Sequence, residues 1–164
     1  MVCGRIILVL ATLTLLCGCQ SPQGPIFPDI YPPIVWPPPP DRARIRYIGE
    51  LRGEASLDAR PTGMAAVKAV LAGPAPTVEF SRPTAVAVVG ERAYVADTGL
   101  AAVHVLDLAT RHYQLARGAP ADPLRVPLDI VVSDRNTLVV VDRGRAALDL
   151  FDLDGNWRAT RRCP

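Results

Sequence analysis

The string best suited to chemistry in this sequence is Asp97-Thr98-Gly99, which follows the apolar run Tyr94-Val95-Ala96. A carboxylate in such a loop can do acid–base work when a second carboxylate lies close enough that the two share one proton. A related string, Asp142-Arg143-Gly144, stands further along. A catalytic loop has no need of an acid in its twin. A turn that closes a strand wants Asp in both copies to accept backbone N–H groups, and Gly in both to take φ > 0. Asp97, Gly99, Asp142 and Gly144 therefore read as structural turn residues. The two histidines, His104 and His112, have a spacing that matches no usual metal pair. His104 falls in an alternating strand pattern and His112 in a turn or outer strand, so both are expected at the surface. The sequence contains no Gly-rich phosphate loop, no G-x-S-x-G and no Cys/His dyad. No catalytic, metal-ligating or cofactor-binding residue is assigned, and no cofactor is expected.

The elements that would position these residues come in pairs. The stretch that starts at Arg82, RPTAVAVVGERAYVADTGLAAVHVLDL, aligns with VPLDIVVSDRNTLVVVDRGRAALDLFDL, which starts at Val126. Pro83 matches Pro127, Asp97 matches Asp142 and Leu108 matches Leu153, a period of about 45 residues typical of propeller blades. Within each copy the pattern predicts strands at TAVAVV and LDIVVS, RAYVAD and TLVVVD, and AVHVLDL and ALDLFDL, with RHYQLA and NWRATRR as fourth, outer strands. The inner strands are nearly continuous apolar runs, as expected for strands covered on both faces. The third strands alternate: Val103, Val105, Leu148 and Leu150 lie on one face, His104 and Asp149 on the other. Gly90-Glu91, Asp134 to Asn136 and Asp154 to Asn156 supply turns, and Asp107 and Asp152 close strands.

The N-terminus has the build of a targeting signal: Arg5, then an apolar run from Ile6 to Leu16, too short for a membrane span of about 20 residues. Leu16, Gly18 and Cys19 resemble the lipobox of bacterial lipoproteins. The resemblance implies cleavage before Cys19, acylation of Cys19 and anchorage by several acyl chains, which exceeds what lasting attachment needs. Cleavage as an ordinary secretory signal at another position is the alternative. Gln20 in place of Asp fits outer-membrane sorting, with the protein facing the periplasm. Cys3 and Cys17 would leave with the signal, so Cys163 remains as the lone thiol, and a disulfide scaffold and a cysteine metal site are excluded. The formal charge of +2, with no long run of one sign, argues against a nucleic-acid partner.

From Ser21 to Pro40 the chain carries nine prolines and is predicted to run as a semi-rigid polyproline spacer, in which the apolar residues Ile26 to Trp36 either dock or stay free. Ala43 to Gly53 alternates like a half-exposed strand. Gly63 to Gly73 reads as a short amphipathic helix that caps something, with Met64, Val67, Val70 and Leu71 on one face, Thr62 as N-cap and Gly73 as the stop.

YVADTG, VHVLDL and LFDLDG resemble the blade pattern of NHL-repeat β-propellers over about Ser81 to Trp157, and WPPPPDRARIRYIGEL resembles the opening of lipoproteins that carry six-bladed propellers. The expected fold class is all-β: a partial β-propeller of about two four-stranded antiparallel blades plus an extra N-terminal strand and a short helix, preceded by a signal peptide and a Pro-rich linker. The expected organisation is a signal at 1–18, a lipid-anchored tether at 19–41, a strand and helix at 42–80, and blades at 81–125 and 126–164. Six blades would need about 270 residues, so the chain is expected to be a truncated fragment, with association of several copies into one ring as the alternative. The resemblance implies a binding or scaffolding module of the cell envelope, held to the membrane by its lipid, with an envelope protein or polysaccharide as ligand. Two enzymatic alternatives stand: a propeller lyase or hydrolase short of its catalytic blades, and a dimeric aspartic protease built on Asp97-Thr98-Gly99.

Overall fold

The computed structural model describes residues 23–73, 75–133 and 136–162. The signal, Cys19 and Cys163 lie outside the described residues. Two four-stranded antiparallel sheets dominate, each a simple up-and-down meander. Blade 1 consists of β3 (Pro83–Val89), β4 (Arg92–Asp97), β5 (Ala102–Asp107) and β6 (His112–Ala116). Blade 2 consists of β9 (Pro127–Val132), β10 (Leu138–Asp142), β11 (Ala147–Phe151) and β12 (Trp157–Arg162). A small hairpin, β7 (Gly118–Ala119) with β8 (Asp122–Pro123), joins the two. The fold is an all-β, partial propeller-like array, and the strands predicted from the repeat agree with those observed to within two residues at each end.

The repeat keeps its meaning in three dimensions. β9 lies against β3 and β4. The face of blade 1 that carries Tyr94, Ala96, Val103 and Val105 packs on the face of blade 2 that carries Ile130, Leu138, Val140 and Phe151. In repeat register these are opposite faces, so the blades stack head to tail. Polar bonds tie the same interface: the Tyr94 hydroxyl donates to the Leu153 carbonyl (2.9 Å), Arg92 Nη1 reaches the Asp154 carboxylate (2.7 Å) and the Thr84 hydroxyl donates to the Pro127 carbonyl (3.2 Å). Side chains on the inner strands are less covered than predicted. Val86 and Val88 of β3, on the face turned away from blade 2, are 64% and 62% exposed, because no sheet among the described residues lies over them.

The other face of blade 1, with Ala93, Val95 and Leu106, is roofed by the N-terminal segment through Ile26, Leu51, Leu57 and Phe80. Arg111 fastens this roof by donating from Nη1 to the Leu57 carbonyl (2.7 Å) and from Nη2 to the Gly24 carbonyl. Gly53 and Glu79 form an isolated antiparallel bridge beneath it. The described part of the proline-rich segment is therefore docked, not a free spacer, and its Val35–Trp36 (β1) pairs with Ile45–Arg46 (β2). The strand predicted over Ala43 to Gly53 is confined to those two residues; the remainder is irregular chain, with Leu51 packed on blade 1, and it leads into a 3-10 turn at Glu54–Leu57. The helix forms as predicted, α1 at Gly63–Ala72 with Gly73 at φ 81 as its stop, although the Thr62 side chain makes no capping bond. It caps nothing among the described residues: Met64, Val70 and Leu71 are all more than four-fifths exposed. No described helix is long and apolar enough to cross a membrane.

Candidate functional site

Each blade is closed by the same latch. The Asp97 side chain is fully buried at the end of β4, where it turns back to the segment that enters β3. Its Oδ2 accepts from the Ser81 N–H (2.6 Å), and its Oδ1 accepts from the N–H groups of Arg82 (3.0 Å), Gly99 (2.8 Å) and Leu100 (3.1 Å). In blade 2, Asp142 repeats this: Oδ2 accepts from the Arg125 N–H (2.8 Å), Oδ1 from Val126 (3.0 Å) and Gly144 (2.8 Å). A backbone bond completes each latch, Thr98 N–H to the Arg82 carbonyl and Arg143 N–H to the Val126 carbonyl. Burial alone would push both carboxyls up. The backbone donors outweigh it, joined at Asp142 by the Arg145 guanidinium, and hold both below the usual carboxylate range. A carboxylate filled in this way is a structural acceptor, so the geometry favours the turn role over a shared-proton dyad.

The glycines are needed for a reason other than the one predicted. Neither Gly99 nor Gly144 has a positive φ; the left-handed residues of these turns are Ala101 (φ 50) and Ala146 (φ 49). Gly99 and Gly144 lie where the entering segment passes closest. A Cβ on Gly99 would stand 2.5 Å from Ser81 Oγ and 3.1 Å from the Arg82 nitrogen, and one on Gly144 would stand 2.8 Å from Arg125 Cβ and 3.2 Å from the Val126 nitrogen. An inverted pattern follows. Gly99→Ala and Gly144→Ala should each destabilise by about 1–3 kcal/mol through overpacking, whereas Ala101→Gly and Ala146→Gly, which relieve left-handed strain, should leave the urea midpoint unchanged or raise it. Equal losses in both sets would refute the close-approach account.

His104 corrects a second expectation, because it is fully buried and not at the surface. Its Nε2 lies 3.3 Å from Asp97 Oδ2 and its Nδ1 2.8 Å from the Tyr113 hydroxyl, with Phe80 edge-on at 4.7 Å. An ionised carboxylate only accepts, so the proton of the neutral ring belongs on Nε2 and Tyr113 donates to Nδ1. Burial lowers the His104 pKa against the pull of Asp97, and burial pushes the Tyr113 phenol up to about 12. His112 is exposed, as expected.

At the repeat-equivalent place in blade 2 stands Asp149, also fully buried. The Thr160 hydroxyl donates to its Oδ1 (2.6 Å), and Arg145 Nη2 pairs with its Oδ2. The Arg145 side chain is only 2% exposed and bridges further, to Asp142 Oδ2 (2.8 Å) and to the Asp122 carboxylate (3.1 Å), which Arg162 also reaches at 2.8 Å. Blade 1 thus joins its latch to strand β5 through an imidazole, and blade 2 joins its latch to β11 through a guanidinium. Asp107 and Asp152 are turn residues as predicted: Asp107 Oδ1 accepts from the Thr110 N–H (2.8 Å), and Asp152 Oδ1 from Asp154 (3.1 Å) and Asn156 (2.8 Å).

Away from the latches, a cavity of about 200 Å³ opens between the docked proline-rich segment and β2, lined by Phe27, Asp29, Ile30, Pro33, Arg46 and Tyr47 among others. Strand periodicity concealed the burial of His104 and Asp149. The signal that could have revealed it is their position, a polar residue at the same place in each third strand, one strand away from the latch Asp. Compared with protein-family models and with curated proteins, the sequence gives no match.

Proposed function

We propose that this chain is a cell-envelope lipoprotein of the NHL-repeat kind, a propeller-type binding or scaffolding module held by an acylated Cys19 at the outer membrane and facing the periplasm. The observation that carries this reading is the use made of the acidic motifs. Asp97 and Asp142, the residues best suited to chemistry, are buried and saturated by backbone donors, so they build the blades and leave recognition to the surface. An envelope protein or a polysaccharide is the ligand class that a module so placed would meet. The lipid anchor is the part of the reading that fixes location. Metabolic labelling with radioactive palmitate should mark the wild-type chain and place it with outer-membrane vesicles on a sucrose gradient. Cys19→Ala should abolish the label and release the chain from the membrane fraction. Retention of label in Cys19→Ala, or its absence from the wild type, would refute the anchor.

A further inference from the structure

Helix α1 turns its bulky side chains out and its small ones in. Of its ten residues only Ala66 and Ala69 are half-buried, whereas Met64, Val70 and Leu71 are more than four-fifths exposed and Val67 is 52% exposed. These four occupy one side of the helix, an arc of about 120° at 3.6 residues per turn, with Lys68 at its edge. From Ala59 to Val78 the chain carries two cations, Arg60 and Lys68, and no acid. An open apolar face marks a contact surface. One with a basic edge, on a helix only about 15 Å long, has the composition of a helix that lies in a membrane interface without crossing it.

The N-terminal roof supplies the position. Gln23 Nε2 donates to the Asp58 carbonyl (3.0 Å), so the start of the docked segment is tied to the residue from which the chain leaves for α1. Cys19 stands four residues before Gln23, and Gly63 stands five after Asp58. At about 3.5 Å per residue the two arms reach at most about 14 Å and about 18 Å from that bond. A docked tether spaces nothing: an acylated Cys19 draws the roof down to the bilayer and brings α1 within reach of it. We infer that α1 is a second membrane contact, lying in the bilayer interface with Met64, Val67, Val70 and Leu71 in the lipid, and that it holds the roof against the membrane. Blade 2, with blade 1 between it and the roof, then faces away from the bilayer. The inference rests on the acylated Cys19 of the proposed function. Four side chains alone make a weak contact, so Cys19→Ala should still leave the membrane; beside the acyl chains the same contact forms at high local concentration. Anionic headgroups complement Lys68 and Arg60, whereas a second copy docked on this face would bring like charges together.

Photolabelling from within the bilayer tests it. The full chain, isolated from the bacteria that express it, is placed in vesicles of phosphatidylethanolamine and phosphatidylglycerol that contain a phospholipid with a diazirine in its acyl chain. Adducts should form on Met64, Val67, Val70 and Leu71 at least several-fold above those on Val131, a comparably exposed valine of blade 2. Val70→Glu with Leu71→Glu should remove the adducts from α1 and leave both the palmitate on Cys19 and the urea midpoint unchanged. Absence of adducts from α1 in a chain that carries palmitate would overturn the inference and spare the anchor. Adducts on α1 in a chain without palmitate would uphold the contact and refute the anchor. A lower urea midpoint in the double variant would overturn the inference by showing that this face packs within the fold. A dimer that sediments without lipid and is dispersed by V70E with L71E would overturn it in favour of a second copy.

Discussion

Arg145→Leu should lower the unfolding free energy by about 3–5 kcal/mol, the range expected when one partner is removed from a buried ionic cluster. Leu is the residue that blade 1 carries at the equivalent position, Leu100. It serves there because the neighbouring strand supplies His104, whose neutral ring can donate to Asp97. In blade 2 the neighbour is Asp149, and without the guanidinium two buried carboxylates, Asp142 and Asp149, face each other with no cation between them. At a urea dependence of about 1–3 kcal/mol per molar the midpoint should fall by more than about 1 M. Arg145→Lys, which keeps the charge but loses the planar fork, should fall between Leu and wild type. The stronger test is the exchange of one latch chemistry for the other. R145L with D149H recreates the blade 1 pair within blade 2 and should recover a substantial part of what R145L loses, although Asp149→His alone, which sets an imidazole against a buried guanidinium, should itself destabilise. A double variant no more stable than the sum of its parts would mean that the two blades do not use interchangeable solutions.

The repeat is the part of the fold that the residues display most plainly. The period of about 45 residues gave all eight blade strands, because alternation and turn residues act locally and were present twice. Asp97 and Asp142 were legible as latches for the same reason: a short acceptor before a glycine, in both copies. The role of the glycines was misread, since a positive φ and the closeness of a distant segment both select Gly, and only the fold distinguishes them. His104 and Asp149 escaped because alternation puts polar residues on the wet side of a half-covered sheet, whereas each of these sheets is covered on the side they occupy, one by the N-terminal roof and the other by blade 1. The roof left one periodic trace, the alternation over Ala43 to Gly53, and only Ile45–Arg46 of that stretch forms a strand. Residues 23–61 hold their place by a few apolar contacts and backbone bonds to blade 1, with strands of only two residues, and no pattern of period 2 or 3.6 is needed for that. Helix α1 shows the converse, since its caps and spacing were readable but nothing described covers the face they predict.

The chain should lose stability in two steps as it is acidified. The first belongs to His104. An unfolded histidine takes its proton near pH 6.5, whereas burial holds the folded ring neutral to lower pH. Below about 6.5 the unfolded state therefore binds more protons than the folded one, and stability declines until the folded ring is protonated as well. Each unit of difference in pKa is worth about 1.4 kcal/mol. The second step is steeper and lies below about pH 4, where Asp97, Asp142, Asp107 and Asp152 act together. All four are held below the usual carboxylate range, Asp107 by the Thr110 N–H and the other three by donors that outweigh their burial. Their contribution is complete above the unfolded carboxylate pKa and vanishes as pH falls through the folded values. Urea midpoints measured from pH 8 to pH 3 should accordingly be flat at first, decline from about 6.5, and drop sharply below 4. His104→Gln keeps an N–H that can reach Asp97 but cannot titrate, so it should remove the first step and leave the second. A first step that survives in His104→Gln would place its origin outside the latch. At the alkaline end the direction reverses. The Tyr113 phenol, raised to about 12 by burial, stays protonated in the fold while its unfolded counterpart ionises near 10, so a further loss should begin above pH 10 and be smaller in Tyr113→Phe, where only the Tyr94 phenol, also raised by burial, still contributes.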